Sequence, residues 1–183
     1  MTMTDLNTLL AGVKVVAMDV DGTITDGTIF YDHEGNVTKG FGARDGLGLE
    51  LLKRAGIPRG FVTGRRDPAT EIRARYLGVE FHHGGVGDKS ATLREICAEF
   101  GVTLAEILFI GDDLNDYTAF EIAGVAVAVG DACEELKRAA HYVTAAPGGK
   151  GAVREVAELL LKAKGFDLAT LWKTRSDVPV GKQ

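Results

Sequence analysis

The sequence predicts an α/β domain: a Rossmann-like three-layer sandwich, doubly wound, with a mostly parallel sheet between two layers of helices. Three observations predict it. Short apolar, β-branched runs alternate along the chain with segments patterned at helical spacing. Most of those runs are almost continuously apolar, as strands buried on both faces are. The composition, 45% hydrophobic and 26% charged over 183 residues, is that of an ordinary globular domain.

Taken in order, Val13 to Met18 (VKVVAM) reads as the first strand. Residues 28–41 break the alternation: Ile29-Phe30-Tyr31, a polar Gly35-Asn36 turn and Val37 to Phe41 predict a projecting β-hairpin. Asp45 to Ala55 carries Leu47, Leu51 and Leu52 at helical spacing, with Gly56 as its stop. Gly60 to Thr63 is a second strand, and Asp67-Pro68 then marks a helix start, a cap followed by a first-turn proline. Val79 to His82 is a third strand, and Asp88 to Phe100 a helix ending at Gly101. Ile107 to Ile110 forms a fourth strand running into Gly111-Asp112-Asp113, and Ala119 to Ala123 a short helix. Val125 to Val129 is a fifth strand, Glu134 to Ala140 a helix, Tyr142-Val143 an edge strand, and Gly151 to Lys164 a final amphipathic helix. Residues 1–166 thus make one domain, with no insertion long enough for a separate cap, and 167–183 read as a loosely held tail.

The composition also excludes functions. The net charge is -5 and the pI about 5.4, with no basic run to contact nucleic acid. No apolar stretch approaches the ~20 residues that span a bilayer. Cys97 and Cys133 stand apart without zinc spacing, and the start lacks the pattern of a signal peptide, so the chain reads as cytoplasmic.

In open α/β sheets ligands collect at the carboxyl ends of strands, and the polar residues of this chain concentrate there. Asp19 and Asp21 follow the first strand, Thr63-Gly64 the second and Asp112-Asp113 the fourth, while Lys89 opens the helix after the third. These types suit phosphate-ester cleavage. A carboxylate attacks phosphorus and splits one hard step into two easier ones. Two anions meet only with a cation between them, and Mg²⁺ prefers such oxygen ligands. Asp19 is therefore read as nucleophile and metal ligand, Asp112 as second ligand, and Asp21 as general acid/base. Thr63 and Lys89 would hold the phosphoryl oxygens. An EF-hand reading of Asp19 fails because positions six and twelve are Ile24 and Phe30. A P-loop reading of Gly84 to Ser90 fails because Asp88 intervenes before Lys89. Gly148 to Gly151 (GGKG) is open between backbone binding of phosphate and a flexible start to the last helix.

DVDGT at Asp19 to Thr23, VTGR at Val62 to Arg65, Lys89 and GDDLND at Gly111 to Asp116 resemble, in order, the four motifs of the haloacid dehalogenase superfamily of phosphatases. FGARDGLG at Phe41 to Gly48 and GGKGAVRE at Gly148 to Glu155 resemble its capless branch, which contains 3-deoxy-D-manno-octulosonate 8-phosphate phosphatases. The resemblance implies an aspartyl-phosphate mechanism on a small phosphorylated sugar acid. It implies Mg²⁺ held by Asp19, the carbonyl of Val20 and Asp112, with Asp113 and Asp116 in support. It implies Thr63, Gly64, Arg65 and Lys89 at the substrate, and a homotetramer whose hairpins, residues 28–41, complete neighbouring sites. Arg66, Lys150 and Arg154 stand with Arg65 as basic residues for a carboxylate or phosphate. A nine-carbon keto-sugar acid phosphate, an aryl phosphate or a non-catalytic subunit are the alternatives within this branch. A receiver-like module does not fit, because its phosphate-accepting Asp belongs after a middle strand, and those here end in Thr63 and His82.

Overall fold

In a computed structural model that describes residues 2–174, six strands form one parallel sheet and two more form an antiparallel hairpin. The strands are β1 (Val15–Met18), β2 (Thr25–Tyr31), β3 (Val37–Phe41), β4 (Arg59–Thr63), β5 (Phe81–Gly84), β6 (Ile107–Gly111), β7 (Val125–Ala128) and β8 (Tyr142–Val143). The helices are α1 (Met3–Gly12), α2 (Ala43–Arg54), α3 (Pro68–Leu77), α4 (Lys89–Phe100), α5 (Tyr117–Phe120), α6 (Glu134–Ala139), α7 (Ala152–Ala163) and α8 (Leu168–Thr174).

The sheet order is β5-β4-β1-β6-β7-β8. The chain winds outward from β1 through β4 to β5, then crosses back to β6 and winds the other way. The reversal opens a crevice beyond the carboxyl ends of β1 and β6, where such sheets bind ligands. One layer is built around α2 packed on α7, flanked by α1, α3 and α8; α4, α5 and α6 form the other. Every residue of β1, β4, β6 and β7 is buried, which is why those runs show no polar alternation. The α7 helix buries Val153, Val156, Ala157, Leu160 and Leu161 along one stripe.

Four elements differ from the sequence reading. The α1 helix was not anticipated; Thr2 caps it through Asp5, and Leu6 and Leu10 are its buried residues. The third sheet strand begins at Phe81, two residues later than expected, because Val79 caps the end of α3 by donating to the carbonyl of Ala74. The hairpin starts earlier, at Thr25, through an irregularity in its pairing between Thr25 and Ile29. The region read as a loose tail begins with α8, whose Leu171 is buried and whose Trp172 ring stacks 3.9 Å from the Arg54 guanidinium. Residues 175–183 of that expected tail lie outside the described residues.

Candidate active site

The end of β1 is tied to its neighbour where Asp19 N–H donates to the Ile110 carbonyl at 2.9 Å. The chain then turns sharply, and the Val20 carbonyl accepts from the N–H groups of Thr23, Ile24 and Thr25 and from the Thr25 hydroxyl. That turn corrects the expectation that the Val20 carbonyl holds a metal, since its lone pairs are spent on four internal donors. Gly22 sits at φ +90°, and a Cβ there would lie 2.0 Å from Asp112 Oδ2. Only glycine lets the two acidic loops approach so closely.

Across the crevice, Asp112 follows β6. Its N–H donates to Asp116 Oδ2 at 2.9 Å, and its carbonyl accepts from Cys133 N–H at 2.9 Å. Asp116 is fully buried and engaged at both oxygens: Oδ2 takes the N–H groups of Asp112 and Asp113, and Oδ1 takes Lys89 Nζ. Asp113 is exposed and accepts from Leu114 N–H at 2.8 Å, which makes it the cap of the 3₁₀ turn Leu114–Asp116.

Lys89 is the first residue of α4, positioned by the Asp88 cap on Ser90. It is buried, with Nζ 2.7 Å from Asp19 Oδ1, so one ammonium lies between Asp19 and Asp116. Burial pulls its proton affinity down, but the two carboxylates outweigh that and hold it above the ordinary lysine value. Thr63 ends β4, buried; among the described residues its hydroxyl oxygen accepts only from Arg65 N–H, at 3.2 Å, and its proton has no acceptor, so it is free to be donated. Asp19, Asp21, Thr63, Gly64, Arg65 and Asp112 line one open cleft of about 410 Å³.

The electrostatics call for a cation. Asp19, Asp112 and Asp116 each bring a carboxylate oxygen within 4.8 Å of the others. Burial first, then Asp116, against the pull of Lys89, raises Asp19 to about 6. Burial, Asp19 and Asp116 raise Asp112 to about 8. Asp112 Oδ1 is a buried oxygen without a hydrogen-bond partner among the described residues. A divalent ion with oxygen ligands fits Asp19 and Asp112, and Asp116, whose oxygens are already engaged, orients them.

Sequence reasoning missed Lys39. It reaches in from β3 with its side chain fully buried, Nζ 3.0 Å from Asp21 Oδ2 and 2.7 Å from Asp67 Oδ2. Its signal was the strand alternation, which puts Lys39 on the inward face between Val37 and Phe41.

A family model of haloacid dehalogenase-like hydrolases matches residues 78–155. The chain is 39% identical over 154 residues to 3-deoxy-D-manno-octulosonate 8-phosphate phosphatase KdsC of Yersinia pestis, covering 84% of this chain and 82% of that protein. The chain belongs to the KdsC family of haloacid dehalogenase-like phosphatases. Its fold matches a solved KdsC-family structure from Moraxella catarrhalis, described in complex with magnesium ion, phosphate ion and KDO, with a TM-score of 0.87 and 40% identity over 90% of this chain and 94% of that one. A hydrolase of the superfamily from Legionella pneumophila matches with a TM-score of 0.90 and 32% identity over 93% of this chain and 94% of that one.

Within this KdsC-family phosphatase the other basic residues separate cleanly. Arg65 lies at the cleft, its Nε 3.5 Å from Asp21 Oδ2. Arg66 donates to the Gly84 carbonyl, Lys150 pairs with Asp26, and Arg154 pairs with Glu158, and none of the three lines the cleft that Arg65 borders. The GGKG loop does not present free donors: its four N–H groups go to Asp131, Thr23, Pro147 and Asp45. It is a packed support beneath the Asp21 loop, where a Cβ on Gly148 would lie 1.7 Å from the Gly22 carbonyl oxygen.

Proposed function

We propose that this phosphatase hydrolyses the monoester of a 3-deoxy-octulosonate 8-phosphate-type sugar acid through an aspartyl-phosphate on Asp19, with Mg²⁺ bound by Asp19 and Asp112. The observation that carries the reading is the buried Asp19 carboxylate, gripped at Oδ1 by Lys89 and facing the unpartnered Asp112 oxygen across the crevice. The substrate class is supported by the KdsC relatives and by the KDO, phosphate and magnesium named in the Moraxella catarrhalis complex.

With Lys89 on Oδ1, Asp19 Oδ2 is the oxygen that attacks phosphorus. Asp21 gives its proton to the departing ester oxygen as the P–O bond breaks, leaving the phosphoryl group on Asp19 and a carboxylate on Asp21. That carboxylate then takes a proton from water as it attacks phosphorus, releasing inorganic phosphate and restoring both residues. Thr63 and Lys89 donate to the phosphoryl oxygens as charge builds on them. When bound, Mg²⁺ supplies the positive charge that lets the carboxylate and phosphate approach.

The hairpin carries Phe30 and Tyr31 at 60% and 61% exposure, while Leu114 on the cleft rim is 58% exposed. We read these apolar surfaces as the means by which hairpins close neighbouring sites in a homotetramer. Phosphate release from octulosonate, nine-carbon keto-acid, simple sugar, aryl and nucleotide monophosphates, with and without Mg²⁺, tests the function. A preference for the octulosonate ester that chelation abolishes supports it; equal rates on all, or rates indifferent to chelation, refute it. Light scattering tests the tetramer, and a stable, fully active monomer contradicts it.

A further inference from the structure

We propose that Lys39 is a positioning residue for the phosphatase reaction, holding the Asp21 carboxylate in register for proton transfer from an anchor outside the cleft. The inference rests on the reading of Asp21 as acid/base and deepens it.

An aspartate at a strand end has two free side-chain torsions, and proton transfer needs one oxygen on the line to the leaving group. Asp21 is only half-buried, so packing alone does not fix it. Lys39 supplies the missing constraint. Its hydrogen bond takes Oδ2 at 3.0 Å, while Oδ1, 2.7 Å from the same nitrogen, is buried without a hydrogen-bond partner. The one ammonium therefore lies against both oxygens and fixes the plane of the carboxylate, with Oδ2 also 3.5 Å from Arg65 Nε at the cleft.

The lysine is itself fixed from the far side. Asp67 Oδ2 accepts from Nζ at 2.7 Å and the Thr70 hydroxyl lies at 3.3 Å. Asp67 is in turn locked as the cap of α3, its Oδ1 accepting from Thr70 N–H at 2.8 Å and its Oδ2 from the Thr70 hydroxyl at 3.0 Å. The chain of contacts runs from the start of α3, through the hairpin, to the acid/base. A lysine serving only to tie the hairpin down would need Asp67 alone; a fully buried ammonium bridging two carboxylates constrains both.

The test uses aryl phosphates of similar size, from phenyl phosphate to nitrophenyl phosphates with acidic leaving groups, and reads kcat/KM with Mg²⁺ present. An acidic nitrophenol departs without a proton, whereas phenol needs one. Lys39→Met keeps the stem and removes the ammonium. Against the ~10²–10⁴-fold effect of general acid catalysis, it is expected to lower kcat/KM for phenyl phosphate about tenfold more than for the most activated ester. Lys39→Arg should recover part of that difference. Because Lys39→Met leaves the buried Asp67 and the half-buried Asp21 without their cation, Asp67→Asn serves as a second variant, expected to steepen the same dependence by less. Uniform loss across the series, or none, in folded Lys39→Met or in Asp67→Asn overturns the proposal. Asp21→Asn separates the two readings. If it steepens the series and the Lys39 and Asp67 variants do not, only the Lys39 role fails. If Asp21→Asn leaves the slope unchanged, the acid/base reading fails and the positioning role with it.

Discussion

Lys89 shows how one side chain organises the site. Its ammonium lies between Asp19 and Asp116 and engages Asp19 Oδ1, which on the proposed mechanism leaves Oδ2 as the attacking oxygen. A buried ammonium with two carboxylates is costly to desolvate, so its role is orientation more than stability. Thr63 makes the clearest single-residue prediction, because its hydroxyl donates to nothing among the described residues. Thr63→Val, which keeps shape and burial, should lower kcat/KM about a hundredfold, as loss of one preorganised donor does. Its thermal midpoint should stay within a few degrees; an unchanged kcat/KM would remove Thr63 from the phosphoryl site. Asp19, Asp21, Thr63, Lys89 and Asp112 were legible in the sequence because each stands next to a recognisable strand end or helix start. Lys39 was not, because the hairpin's fold-back onto α3 is a long-range event that local pattern does not specify.

At the scale of elements, the loops beneath the site are as specified as the strands. Asp45 on α2 is fully buried and accepts from the N–H groups of Gly151, Val153 and Arg154 at the start of α7. A carboxylate at a helix N-terminus meets both its free donors and its positive dipole end. Burial nonetheless pushes the Asp45 carboxyl above its ordinary value. Asp45→Ala should therefore destabilise the protein by about 3 kcal/mol, the scale of losing charge-assisted hydrogen bonds and stranding buried donors. Denaturant titration reads this directly, and a change below about 0.5 kcal/mol would show that water satisfies those donors. The RDG of the hairpin-to-helix junction and the GGKG before α7 looked in sequence like separate features. In the fold they are one clamp, and that pairing across more than a hundred positions is what a single sequence does not display.

For the whole molecule, reversal of strand order at β1 and β6 explains why acidic groups far apart in sequence share one crevice. Alternating strands and helices made the layers legible, whereas strand order, the α1 packing and the α8 helix depended on tertiary contacts. If Asp19 and Asp112 hold the ion as proposed, the crevice couples proton and metal binding. Asp19 and Asp112, raised from 3.8 to about 6 and about 8, favour folding most at low pH, and that contribution is lost as pH rises through those values. Mg²⁺ needs both carboxylates ionised, so its stabilisation should grow over the same window. At Mg²⁺ near a hundred times its Kd, the thermal shift should be roughly 5–10 °C at about pH 9. At about pH 5 it should be much smaller, and in Asp112→Asn nearly absent; equal shifts at both pH values would mean the ion binds elsewhere. The central claim, that Asp19 carries the phosphoryl group, is tested most directly by acid-quenching a radiolabelled phosphate ester during turnover and mapping the label by proteolysis. The label should sit on the peptide containing Asp19 and vanish in Asp19→Asn; label on another residue, or turnover surviving in that variant, would contradict it.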